Sequence, residues 1–292
     1  MRNASDILTI IMKGLTSRET EVLMGRFGLD KSGKPQTLAA LGANYDVTRE
    51  RVRQIETSAL KAVQHNIKNA SEIGAFIEKT KKQLKDAGGV MKKERLIDIL
   101  KTIVPGLTER HIAVLIEASH AFFFYPVDSD YHDFYYLDKA SLKKMQAFIG
   151  QWTETLNAKK GHVLGGRYAA LLSEFLAKRG IGEAYAKTAL EFSKVIGINP
   201  YGDSGLAAWP EIRPKTIRDR VYLVLKKHGE PLHFRTIAKS INEVKFDAKK
   251  ASAPTVHNEL IKDARFVLVG RGMYALAEHG YTDGTAREVI HR

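Results

Sequence analysis

The stretch TLAALGANYDVTRERVRQIETSALKAV, residues 37–63, holds two amphipathic segments broken at Asp46. That arrangement leaves few folds open. Leu38, Leu41 and Tyr45 recur at helical spacing, which predicts a short helix over 37–44 with Thr37 as its N-cap. Gly42 falls on the buried side, where a missing side chain lets a second helix come close. Asp tolerates a left-handed turn better than most residues, so Asp46 marks the turn. Thr48 reads as a second N-cap, with Val47 and Val52 at hydrophobic-staple positions. A longer helix then starts at Arg49, with Val52, Ile55, Ala59, Leu60 and Val63 on its inner face. Two helices joined by a tight turn make a helix-turn-helix.

The outer face of the second helix is rich in hydrogen-bonding groups. Arg49 and Arg53 are four apart, as are Glu50 and Gln54, so each pair shares a face near the N-terminal end. That end of a recognition helix meets base edges. Arg pairs with guanine, Gln with adenine, and Glu accepts from cytosine. Thr48 and the first helical amides suit a phosphate. The same spacing also suits a solvated face with internal ion pairs, because Glu50 and Arg53 are three apart. The formal net charge of +13 is compatible with a polyanion partner.

The segment LTSRETEVLMGRFGL, followed by the stretch above, resembles region 4 of the bacterial sigma-70 family. The similarity runs from Gly14 to about His65 and is most specific in VTRERVRQIE with the Ala-Leu pair that follows. The resemblance implies binding of double-stranded DNA at the upstream (−35) promoter element, and docking on the beta flap of RNA polymerase. It implies that Arg49, Glu50, Arg53 and Gln54 read base edges, while Thr48 and Arg51 serve phosphates or helix positioning. It gives Leu15, Val22, Leu23 and Phe27 to a small core and part of the polymerase-facing side. The aromatic promoter-melting regions of a complete sigma factor have no counterpart in this sequence. The expectation is a reused sigma fragment.

Residues 66–87 read as a connecting helix with a solubilising face of Lys79, Lys81, Lys82 and Lys85. Gly88-Gly89 ends it. A weak repeat follows, in which a helix leads three times into a hairpin. The turns are Asp128-Ser129-Asp130, Asn199 to Gly205, and Gly270-Arg271-Gly272. Helices before a two-stranded hairpin are the plan of a winged helix. The expected division is 1–66, helix-turn-helix; 67–87, linker helix; 88–139 and 140–212, winged-helix-like; 213–281, winged helix; and 282–292, tail. The last folded segment, from Pro214 to about Tyr281, resembles the HARE winged-helix domain in its PLHF, TVHNEL and GRGMYAL strings. That domain also occurs in the delta subunit of RNA polymerase. Its core would come from Ile217, Val221, Leu223, Val224, Leu232, Ile237, Ile241, Leu260, Ile261, Phe266, Val267 and Leu268. Arg271 would sit at the wing tip, within reach of DNA phosphate.

Other chemistry is not signalled. There is no cysteine, so thiolate metal sites and disulfides are excluded. The histidines show no paired-ligand spacing, and His233 and His257 read as structural. DSDYHD lacks the glycine and distal glutamate of a calcium loop. Gly165-Gly166-Arg167 lacks the rest of a phosphate loop. Asp247-Ala248-Lys249 has an acid-x-lysine form without a nuclease core around it. The aromatics Phe122 to Tyr125 and Phe134 to Tyr136 read as core and cross-strand pairs. No stretch approaches the roughly 18 apolar residues of a membrane span, and no signal peptide is evident. The expectation is a mainly α protein, a helix-turn-helix followed by tandem winged helices. It is expected to be cytoplasmic and nucleoid-associated, with no cofactor and no enzymatic activity. Its predicted role is that of a bacterial-type transcription regulator. The alternatives are a module competing with sigma on polymerase, or a restriction or DNA-modification accessory protein.

Overall fold

The structure is a computed structural model that describes residues 3–244, 246 and 250–282. Asp247-Ala248-Lys249 and the tail from 283 lie outside the described residues. The chain forms two compact units. One comprises 1–150 with 180–193, the other 151–179 with 194–292.

In the first unit, α1 (Ala4–Ile11) precedes α2 (Ser17–Phe27), α3 (Leu38–Asn44) and α4 (Arg49–Asn69). Their boundaries follow from local chemistry. A Thr16–Glu19 capping box opens α2, and Gly28 closes it in the left-handed region at φ 63°. The Thr37 hydroxyl accepts from the Ala40 amide at 3.1 Å, and Thr48 does the same for Arg51 at 3.1 Å. Asp46 between them takes φ 53°, as the turn requires. The helix-turn-helix expected from the sequence is therefore present. The Val47–Val52 staple is not. Val52 is fully buried with Val22 and Leu41, whereas Val47 is 36% exposed. The turn folds the Val47 backbone back onto α3, with its amide bonded to the Gly42 carbonyl at 3.0 Å, and leaves the Val47 side chain outside.

Next come α5 (Ser71–Asp86), β1 (Val90–Lys92), α6 (Lys93–Ile103), α7 (Glu109–Ser119), β2 (Phe123–Tyr125) and β3 (Phe134–Tyr136). The sheet is antiparallel in the order β1-β3-β2. Helix, strand, two helices and a hairpin are the order of a winged helix, and α5 is its first helix. Expected as a connector, α5 instead buries Ile73, Phe76, Ile77 and Leu84. Its lysines occupy the opposite face, which is what made it look solvated. Leu23, Ala59, Val63 and Ile67 of the helix-turn-helix share one core with those residues and with Leu100, Ile112, Val114 and Leu115. The hairpin aromatics pair across strands: Phe123 stacks on Tyr136 at 5.3 Å and Tyr125 on Phe134 at 4.8 Å.

The chain continues through α8 (Lys139–Ala158), α9 (Lys160–His162), α10 (Tyr168–Arg179) and α11 (Glu183–Glu191). A wider turn, Val163–Arg167, joins α9 to α10, with Gly166 at φ 84°. Helix α11 belongs to the first unit, where it packs on β1, and the following Phe192 stacks on Phe134 at 4.7 Å. The second unit holds α9, α10 and the two-stranded hairpin β4 (Ile196–Ile198) and β5 (Ser204–Leu206). The expected segment 140–212 thus contributes to both units.

The second unit ends with α12 (Ile217–His228), β6 (Leu232–His233), α13 (Phe234–Val244), α14 (Ala253–Ile261), β7 (Phe266–Gly270) and β8 (Met273–Leu276). Its sheet order is β6-β8-β7, the same plan as before. Val221, Val224, Leu225, Ile237, Ile241, Val256, Leu260, Phe266 and Leu276 form the core. Leu223 and Val267, expected in that core, are buried outside this cluster, and two other expected residues are exposed. Ile261 is 64% exposed and Leu268 45%. Ile261 is the last residue of α14, and Leu268 shares a side of β7 with Phe266 but lies nearer the turn, beyond the buried Phe266 and Val267. Among the described residues no helix is long and apolar enough to cross a membrane.

Candidate nucleic-acid interface

The side chains expected to meet DNA all lie at the start of α4. Thr48, Arg49, Glu50, Arg51, Arg53 and Gln54 are exposed. This follows from helix geometry: Val52 points into the Val22–Leu41 cluster and Ile55 packs beside it, so the positions between them face outward.

Their polar groups are already partly organised. Arg53 donates to both oxygens of Glu50, through Nε at 2.9 Å and Nη2 at 2.7 Å. This bond holds the Glu50 carboxyl below its ordinary range and raises Arg53. Glu50 is therefore an anion, an acceptor for an exocyclic amine, at neutral pH. Arg51 donates to Gln54 Oε1 at 3.2 Å, and the Gln54 side chain adds to the lowering of Glu50. Among the described residues Arg49 makes no ion pair or side-chain hydrogen bond, so its guanidinium is the first free to bind. Thr48 spends its hydroxyl oxygen on the Arg51 amide, and its role is to cap the helix.

The frame behind these residues was not foreseen from the sequence. Arg26 of α2 donates to Glu56 at 3.0 Å and to the Gln36 carbonyl at 3.1 Å. It ties α2, α4 and the loop before α3 together. Ser58 donates to Glu19 at 2.8 Å, which locks the N-terminus of α2 against α4. The Asn66 amide reaches the Ile11 and Lys13 carbonyls at 3.0 and 2.7 Å. Arg18 lies over the Tyr45 ring at 4.3 Å. These partners are 27 to 55 residues apart in sequence, or cross a loop, so no periodicity reports them. Arg51 borders two surface depressions. One is against the turn at Gly42–Thr48 and the other against Thr16, Arg18 and Glu19 of α2.

Arg271, the remaining candidate, lies far along the chain. It is exposed in the β7–β8 turn of the second unit. Among the described residues no group of side chains could hold a metal ion.

A short α2, a tight α3–turn–α4 and an exposed first turn on α4 define a helix-turn-helix DNA-binding domain. Residues 11–65 match the family model for Sigma-70, region 4. The match takes in α2, α3 and most of α4, and stops before α5.

Proposed function

We propose that this protein is a non-enzymatic transcription regulator that reads promoter DNA through the first turns of α4. The observation that carries this reading is the exposed set Arg49, Glu50, Arg53 and Gln54, on a helix whose opposite face is fixed in the core. Helix α4 enters the major groove, Arg49 and Gln54 contact base edges, and the Glu50–Arg53 pair presents one acceptor and one donor side by side. RNA polymerase, through its beta flap, is the second partner. The segment 213–281, similar to a HARE winged helix, adds another contact.

The test is equilibrium binding of the purified protein to a duplex with a −35-like hexamer and to a scrambled duplex, across a salt series. A preference that survives higher salt is expected. Arg49→Ala or Gln54→Ala should cost about 1–3 kcal/mol on the preferred site and relax specificity there. Equal losses on every sequence, with steep salt dependence, would leave only a basic surface.

A second reading has one observation behind it. Glu50–Arg53 and Arg51–Gln54 satisfy each other on the protein surface, as expected of a domain that competes with sigma for polymerase and hardly touches DNA. Polymerase binding that survives Arg49→Ala and Arg53→Ala, with no duplex binding by the intact protein, would select it.

A further inference from the structure

The two winged helices share one strand order and one sheet pairing, yet their surfaces are opposite in character. In this plan the third helix is the one free to enter a groove. In the first unit that helix is α7, and it is not free. It packs against α2 and α4, and Ile112, Val114, Leu115 and Ala118 are buried in the shared core. Arg110, near its start, lies 3.3 Å from where a side chain on Gly33 would begin, beside the loop that precedes α3. The first wing is acidic. Asp128 accepts from the Tyr125 hydroxyl at 2.6 Å and from the Asp130 and Tyr131 amides, and Asp130 is exposed beside it. Phosphate would be repelled there.

The second winged helix has an exposed third helix where the first has a buried one. Helix α14 starts from its N-cap Ser252, as α7 starts from Thr108. Counted from those caps, Val256 and Ile112 hold the same place, and both are fully buried. The next outward place holds Val114 in α7, fully buried, and Asn258 in α14, exposed. Among the described residues the Asn258 carboxamide has no hydrogen-bond partner. Thr255, Asn258 and Ile261 make one exposed stripe along α14. The wing carries Arg271, exposed and with no carboxylate partner among the described residues.

Three elements of this domain converge. The His233 and Phe234 rings lie 4.5 Å apart and the Phe234 and His257 rings 4.7 Å apart, both pairs tilted, while the Phe234 amide donates to the Gly272 carbonyl at 3.0 Å. The start of α13, the middle of α14 and the wing therefore meet at one edge. Gly272, at φ 71°, has His233 Nε2 2.8 Å from the place a side chain would take, so the wing is pinned there. Exposed Arg235 stands at the same edge. Most of the excess of Lys and Arg over Asp and Glu falls within 151–179 and 194–292.

We propose that α14 and the β7–β8 wing form a second duplex-DNA contact, with Asn258 and Ile261 toward base edges and Arg235 and Arg271 toward phosphates. The first winged helix has no such role; its third helix braces the helix-turn-helix. Asn pairs with adenine through two hydrogen bonds, and an apolar side chain meets the thymine methyl, so the preferred site contains A·T pairs. This goes beyond the reading of α4 and stands on a different domain.

The test is selection from a randomised duplex library with the full-length protein, followed by binding curves on the enriched duplexes. It is run with native α4 and with Arg49→Ala plus Gln54→Ala. Enrichment of an A·T-containing motif is expected to persist with α4 disabled. Asn258→Ala should weaken binding to that motif about 5- to 150-fold. Arg271→Ala should weaken binding to all duplexes and lower the salt slope by about one. Arg110→Ala on α7 and Asp130→Asn in the first wing should change neither. If Asn258→Ala and Arg271→Ala leave duplex binding unchanged in both backgrounds, the proposal is overturned. It is overturned too if they abolish binding to RNA polymerase while duplex binding stays intact, which would assign the surface to protein. Failure of the α4 reading shows separately, as indifference to Arg49→Ala and Gln54→Ala in the native background.

Discussion

Glycine-to-alanine substitution at two helical positions should shift stability in opposite directions. Gly42 lies in α3 and Gly74 in α5, both within the first unit. In an unobstructed helix interior the change stabilises by about 0.5–1 kcal/mol, because alanine has less backbone entropy to lose. A methyl at Gly74 meets nothing within 4 Å, so Gly74→Ala should gain about that amount. A methyl at Gly42 lies 2.7 Å from the Val47 carbonyl oxygen and 3.4 Å from the Arg49 amide nitrogen. The first is backbone and cannot rotate away. Overpacking of this kind costs about 1–3 kcal/mol, which outweighs the propensity gain and leaves a net loss of about 1–2 kcal/mol. Thermal melts followed by circular dichroism should show Tm falling for Gly42→Ala and rising for Gly74→Ala, by about 2–4 °C per kcal/mol. The displaced turn also re-aims Arg49, so duplex binding should weaken in Gly42→Ala alone. If both substitutions raise Tm, the close approach of turn to helix is not a constraint, and the account of this motif fails.

Arg26→Met should destabilise by about 1–3 kcal/mol in urea titrations, because it leaves Glu56, whose side chain is 15% exposed, without its partner; a loss under about 0.5 kcal/mol would show the link to be ornamental. The Glu19 carboxyl is held below its ordinary range, chiefly by the Thr16 amide and then by Ser58. Its stabilisation is therefore complete above the unfolded value of about 4.3 and is lost as pH falls through the lower folded value. Glu19→Gln should be less stable than the native protein at neutral pH, with the gap closing in acid; a constant gap in Tm between neutral and acid buffers would contradict this. A fragment of residues 1–66 should lack a cooperative melt, whereas 1–193 should retain one, and a sharp two-state transition in the shorter fragment would refute the shared core.

Features fixed by neighbours in sequence were legible. Thr37, Asp46 and Thr48 set caps and a turn whose partners lie within a few residues, and Gly42 was recognised by its place on the inner face. The alternatives weighed for the outer face of α4 both left a trace: the residues expected to read bases are exposed, and Glu50 and Arg53 do pair. Where exposure turns on how far along an element a residue sits, or on the path of a turn, the pattern failed. FVLVG is apolar throughout, so nothing in it says that Leu268 is exposed while Phe266, on the same side of the strand, is buried. Val47 looks like a staple residue until the turn sends its backbone toward Gly42. The spacing of Ile73, Phe76, Ile77 and Leu84 already described a core helix, but four lysines on the other face suggested a linker. Arg26–Glu56 and Asn66–Ile11 join distant segments, and no local rule reaches them.

The boundary at residue 66 shows why a motif is not a domain. Helix α4 has 21 residues, about 30 Å at 1.5 Å per residue. Its first turns rest on Val22 and Leu41 and present Arg49 to Gln54 outward. Its later turns contribute Ala59, Val63 and Ile67 to the core of the winged helix that follows. The motif therefore ends where its outer face stops carrying readable chemistry, while the fold continues along the inner face. Helix α7 is consumed in making that joint, where it braces α2 and α4. Helix α4 is thereby held along its length, so, on the proposed reading, its exposed first-turn residues would need less ordering when DNA arrives than they would on a short helix frayed at its far end. Part of the ordering cost of such binding would be met by folding.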